Sequence, residues 1–122
     1  MHRLAPVALV ATLTASALLV ACGGDDAPRR SIPVAIDPAD TGCTPASIGL
    51  KTGEKVTFAV KNDGKKDWEF EGIEGTKIEE VLVPSGRSRN IDYTASSSPG
   101  TAKVKCYTPA GAATVIELAI AQ

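Results

Sequence analysis

The sequence predicts an all-β domain, a Greek-key sandwich of about eight short strands. Two observations carry that prediction. Beyond residue 30, apolar side chains recur at every second position in short runs, the period of a half-buried strand. Gly, Pro, Asn and Asp punctuate those runs at regular spacing, and no window there has the period of an amphipathic helix.

The chain begins with a different kind of segment. Met1 to Ala21 has a short basic start, His2 and Arg3, followed by a run of Ala, Leu and Val that ends in Leu19-Val20-Ala21-Cys22. Charge order and apolar length read as a secretory signal peptide over residues 1–21, cleaved before Cys22. The last four residues resemble the bacterial lipoprotein box, so Cys22 is the expected lipidation site. A transmembrane anchor fits less well, because Pro6, Thr12, Thr14 and Ser16 dilute a run barely long enough to span. A diacylated Cys22 would tether the protein to the bacterial cell membrane on its extracytoplasmic side. Residues 22–30, with Gly23, Gly24, Asp25, Asp26, Arg29 and Arg30, lack apolar periodicity and read as a flexible tether. The folded domain is then expected over 31–122.

Within that domain Ile32, Val34 and Ile36 alternate around Pro33, which suggests a strand at an edge. Asp37 to Gly42 is turn chemistry, and Cys43 follows it. Ile48 and Leu50 mark the next strand. Thr52-Gly53-Glu54 reads as a hairpin connection into Lys55–Lys61, with Val56, Phe58 and Val60 inward. An Asp63-Gly64 turn leads to Asp67–Glu71, where Trp68 and Phe70 face one way and the acids the other. Lys77–Val83 is a weaker strand, and Arg87–Thr94 carries Ile91 and Tyr93. The serine loop 95–99 precedes Gly100–Gly111, in which Ala102, Val104 and Cys106 alternate with Lys103, Lys105 and Tyr107. Val115, Ile116, Leu118 and Ile120 close the domain.

Composition excludes several functions. The chain carries 13 basic and 14 acidic side chains, which is no footprint for nucleic acid. Its one histidine, His2, and its one methionine, Met1, both fall inside the cleaved segment. There is no Ser/His/Asp set and no phosphate-binding glycine loop, and a thiol nucleophile would lack an activating imidazole, so the protein reads as no enzyme. With Cys22 acylated, Cys43 and Cys106 are the remaining thiols. Three readings stand for them: core residues, halves of one disulfide in an oxidising compartment, or metal ligands.

Three segments together carry a family resemblance: Thr52 to Asn62, the Trp68-Glu69 pair after a loop, and the strand ending in Cys106 before a Pro/Gly loop. The domain resembles the cupredoxins, and more closely the cupredoxin-like domain of EfeO-type periplasmic iron-uptake proteins. The departures from the electron-transfer members are in the ligands. Those proteins place histidines where Asp67-Trp68-Glu69 stands here and after the strand-end cysteine, so no type 1 copper is expected. The resemblance implies instead a copper or iron ion held by Cys43, Glu69, Glu80 and Cys106, in a membrane-anchored protein of metal uptake or handling. A metal-uptake permease or another partner protein is implied with it. The alternative is a Cys43–Cys106 disulfide-stapled sandwich acting only as a protein-interaction or cell-envelope module.

Overall fold

The computed structural model describes residues 28–122. The expected leader, the expected lipidation site at Cys22 and most of the expected tether fall outside the described residues. Among the described residues, nine strands form two mixed sheets: β1 Arg30–Ile36, β2 Cys43–Thr44, β3 Ser47–Lys51, β4 Lys55–Asn62, β5 Trp68–Ile73, β6 Val81–Val83, β7 Ser88–Thr94, β8 Gly100–Tyr107 and β9 Ala113–Ala121. One sheet runs β2-β1-β4-β7 and the other β3-β9-β8-β5-β6. In each, one parallel pair is formed by strands distant in sequence, β1 with β4 and β3 with β9. That is the two-layer, all-β arrangement the alternation predicts.

The core is the sum of the inward faces. Val34, Ile36, Val56, Phe58 and Val60 come from the first sheet, and Trp68, Phe70, Val83, Val104, Ile116 and Leu118 from the second; all are essentially sealed from solvent. Phe58 joins the layers, with its ring 5.6 Å from Phe70 and 6.0 Å from Tyr93. At about 1.5–3 kcal/mol for each fully buried large apolar side chain, this alternation is the main stabilising term.

Several sequence expectations shift in detail. The extra strand is β2, two residues that pair only with Ala35 and Ile36. Pro33 therefore sits where β1 has no neighbour on that side, which is why a residue without an N–H is tolerated there. Thr52-Gly53-Glu54 is not a hairpin: β3 pairs with β9 while β4 pairs with β1 and β7, so the segment crosses from one sheet to the other. Strand β6 is shorter than predicted. Ile78 is buried yet lies outside it, its carbonyl accepting from Gly72 N–H at 2.9 Å.

The domain also starts earlier than the composition implied. Arg30 already belongs to β1, its Nε donating to Glu54 Oε2 at 2.8 Å and its Nη2 to the Gly49 carbonyl at 3.0 Å. Arg29 Nη1 donates to the carbonyls of Val56 and Tyr93, each at 3.2 Å. These two arginines are fastenings of the sandwich and not solvated tether. Among the described residues there is no helix long and apolar enough to cross a membrane.

Candidate functional site

All four sequence-predicted ligands lie at or near one end of the sandwich, where β1, β4 and β8 finish and β5 begins. The structure divides them into two pairs on opposite sides of one sheet.

The inner pair is sulfur. Cys106 sits on the core side of β8 with no exposure, opposite Phe70 of β5, and Cys43 is 7 % exposed on β2. They form a disulfide with an S–S distance of 2.16 Å and Cα atoms 6.1 Å apart. The bond ties β2 of the first sheet to β8 of the second. Local polar contacts bring β2 into place. The Asp37 carboxylate accepts from Thr41 N–H, Thr41 Oγ1 and Gly42 N–H at 2.7, 2.7 and 2.9 Å, which closes the turn before Cys43. Cys43 N–H then donates to Thr114 Oγ1 at 3.0 Å. A side chain at position 42 would meet Thr114, since a Cβ there lies 2.2 Å from its Cγ2. Of the three sequence readings of this pair, the disulfide is the one observed.

The outer pair is oxygen. Glu69 alternates with the buried Trp68 and Phe70, so its carboxylate leaves the opposite face of the sheet. Its cross-strand neighbours are Tyr107 and Leu82. Tyr107 Oη donates to Glu71 Oε2 at 2.8 Å and also meets Glu80 Oε2. Glu80, Glu71, burial and Glu69, in that order, raise the phenol well above its ordinary range, because ionising it would add a charge among carboxylates. Lys105 Nζ covers the ring face at 4.4 Å. A phenol has one hydrogen to offer, yet two carboxylates bracket it at hydrogen-bonding range. The cluster therefore holds more negative charge than its own donors neutralise.

Glu69 and Glu80 are thus brought together around Tyr107, and neither shares a face with the sulfurs. Glu71 and Tyr107 are additions of the structure. The alternation of β8 already put Tyr107 on the lysine side; what the sequence lacks is the register that sets it opposite Glu69. Among the described residues, no group of three or more His, Cys, Asp or Glu side chains is arranged as a ready cation cage. The Tyr107 hydroxyl stands in the middle of the carboxylates instead.

The same end is rigid beneath these groups. Trp68 is fully buried, and its Nε1 donates to Asp40 Oδ1 at 3.0 Å. Asp40 also accepts from Lys65 and Lys66 N–H at 3.0 and 3.2 Å, and these donors with the indole hold its carboxyl below the usual range. Gly64 is required by that contact, because a Cβ there would lie 2.0 Å from Asp40 Oδ1. Asn62, wholly buried, donates from Nδ2 to the carbonyls of Lys66 and Val83 at 2.8 and 2.9 Å and accepts from Gly64 N–H at 2.9 Å.

A family model described as a cupredoxin-like domain matches residues 6–115. Comparison with curated proteins finds no relative. Among solved structures, the reduced auracyanin of Roseiflexus castenholzii is similar at 19% identity and a TM-score of 0.64, over 75% of this chain and 97% of that one. Auracyanin A, a "blue" copper protein from Chloroflexus aurantiacus, is similar at 15% identity and a TM-score of 0.59, over 74% of this chain and 97% of that one. The multicopper oxidase mgLAC gives 13% and 0.60, with 76% of this chain matching 39% of that one. At such identities the likeness establishes the fold alone.

A type 1 copper centre takes two imidazoles, a thiolate and a weak axial ligand such as methionine. Residues 28–122 contain no histidine and no methionine, and the strand-end cysteine is bonded to Cys43. This donor set does not fit that centre.

Proposed function

The chain belongs to the cupredoxin-like domain family, and from that premise we propose that it is a membrane-anchored extracytoplasmic protein that binds an iron or copper ion for uptake or handling, without type 1 electron transfer and without catalysis. One observation carries the reading: a half-buried tyrosine hydroxyl bracketed by Glu71 and Glu80, with Glu69 beside it. A cation that displaced the phenol proton would meet a phenolate and carboxylates, hard donors that suit ferric or cupric ions over copper(I). The resemblance to EfeO-type domains supports iron as the first ion to test. Lipidated Cys22 is the anchor in this reading, and a metal-uptake permease or another partner protein receives the ion.

Cys43 and Cys106 are the staple of this site. They become soft donors only after two electrons and two protons convert the disulfide to two thiols, with an extracytoplasmic dithiol as the reductant. Because binding releases the Tyr107 proton, affinity rises with pH.

The test is calorimetry of the mature protein with ferric citrate and with cupric ion, with and without prior reduction, alongside Tyr107→Phe, Glu69→Gln and Glu80→Gln. Expected are a ferric–phenolate absorption band that Tyr107→Phe abolishes and weaker binding in both glutamine variants. If no ion binds in either redox state, the second reading stands: a stapled sandwich serving as an interaction or envelope module. The buried, closed disulfide is the observation that favours it.

A further inference from the structure

The end of the sandwich away from the disulfide holds a cleft remote from Tyr107. It opens where β7 finishes and β8 begins, between the 74–77 turn and the 95–99 loop, with a volume of about 520 Å³ and Ile120 of β9 in its wall. Tyr93 reaches it from the core. Its ring is only 8 % exposed and stacks on Phe58 at 6.0 Å. Among the described residues no group bonds to its hydroxyl, yet no buried side-chain oxygen there lacks a partner, so this oxygen is not sealed in. The opening it meets is the cleft that Tyr93 lines. Burial pushes the phenol up, so it keeps its proton and has it to donate.

Both rims are fixed. On one side Thr76 Oγ1 accepts from Lys103 N–H at 3.1 Å, and Lys103 Nζ pairs with Glu74 at 3.0 Å. On the other, the Ser96 carbonyl accepts from Gly53 N–H at 2.9 Å and Ser96 Oγ from Ser98 N–H at 3.1 Å. Accepting leaves the Thr76 and Ser96 hydroxyls their own hydrogens to offer. Among the described residues the charged side chains of the lining are Glu74 and Lys77. Glu74 is neutralised by Lys103, whereas Lys77 has no ion pair there. The lining is therefore rich in donors: an ammonium, the Tyr93 phenol and the hydroxyls of Thr94, Ser97 and Thr101. We infer that this cleft binds one small organic carboxylate that also carries hydroxyl groups, its carboxylate at Lys77 and another ligand oxygen on Tyr93 Oη. An anion rich in acceptors satisfies both the surplus of donors and the one uncompensated positive charge. Serine and threonine hydroxyls also accept, so hydroxyls of the ligand find partners along the loop. A neutral sugar fits less well, because the Tyr93 ring is buried against Phe58 and offers it no face to stack on.

The test is calorimetry of the mature protein with citrate, with glucuronate, and with glucose as the uncharged counterpart of the latter, all without added metal. Expected is binding of at least one carboxylate, with glucose at least about tenfold weaker. Lys77→Gln removes the charge at an exposed position, and Tyr93→Phe removes a hydroxyl that no described group uses, so both should unfold at the parent's midpoint. Each should weaken carboxylate binding severalfold. Binding of neither carboxylate, or of glucose as tightly, overturns the inference, and so does parental affinity in Lys77→Gln or in Tyr93→Phe. Thr101 and Tyr107 stand six residues apart on β8, roughly 20 Å. The ferric–phenolate band reports the ion at Tyr107 and these titrations contain no metal, so failure of one site is read separately from failure of the other.

Discussion

Cys106 and Tyr107 are consecutive residues at the end of β8, and the sheet sends them to opposite sides. Cys106 enters a sealed interior, where its chemistry is spent on a covalent bond to Cys43. Tyr107 enters a half-open surface, where three carboxylates compete for one proton. The inner side is determined by packing and a crosslink, the outer by electrostatics. One residue of register separates a group that holds the fold from a group available for chemistry. The prediction follows that the inner side governs stability and the outer side governs ion binding, with little exchange between them.

The largest test of that division is to open the inner side. The Cys43–Cys106 link closes a separation of 63 residues, and removing it with Cys43→Ala/Cys106→Ala should cost about 4 kcal/mol in the chain-entropy account. Urea unfolding measures this, and adding reductant should bring the parent protein to the same midpoint. Ion binding measured well below the midpoint should persist in the double variant. Its loss would show that the two sides are not independent.

Asn62 comes next. It is a buried amide whose donors and acceptor are all engaged by backbone groups of the 63–66 loop and β6. Asn62→Ala strands those groups in the interior and should cost about 2–3 kcal/mol. The same unfolding curve reads it, and a change under about 1 kcal/mol would mean that the loop re-pairs with water.

A smaller effect is expected in acid. Hydrogen bonds to Thr41 and Gly42 lower the pKa of Asp37, those to Lys65 N–H and Trp68 lower that of Asp40, and Arg30 lowers that of Glu54. A carboxyl depressed in the folded state contributes stability above its unfolded pKa, near 4, and loses it as pH falls through the folded value. Stability should therefore hold from neutral pH to about 5 and decline below the ordinary carboxylate range. Asp40→Asn should flatten part of that decline. An unchanged pH profile would remove Asp40 from the support of Trp68.

How far the sequence carried these conclusions depends on the kind of contact involved. The sandwich was legible because alternation is local: Val56, Phe58 and Val60 announce an inward face without knowledge of what they meet. The crossing at Thr52-Gly53-Glu54 was not, because a turn between sheets and a turn within one use the same residues. The site was half legible for a related reason. The family resemblance groups Glu69, Glu80, Cys43 and Cys106 as one set, yet a strand sends odd and even positions to opposite faces, so Glu69 cannot share a side with Cys106 when Phe70 is paired with it. Asn62 and Asp40 looked like turn residues. Their roles depend on the buried Trp68 and on carbonyls from distant strands, which no local pattern encodes.

The smallest expected stability effect separates the two sides most sharply. Tyr107→Phe keeps the ring under Lys105 and removes only the hydroxyl, so no buried group loses a partner. It does withdraw the proton that bridges Glu71 and Glu80, leaving two like charges to repel across water, which salt screens. The unfolding midpoint should stay close to the parent's at physiological salt and fall slightly at low salt. The ferric–phenolate band should vanish in the same variant. A large loss of stability with the band intact would reverse the assignment, making Tyr107 a structural residue and returning the search for the ion to the sulfurs.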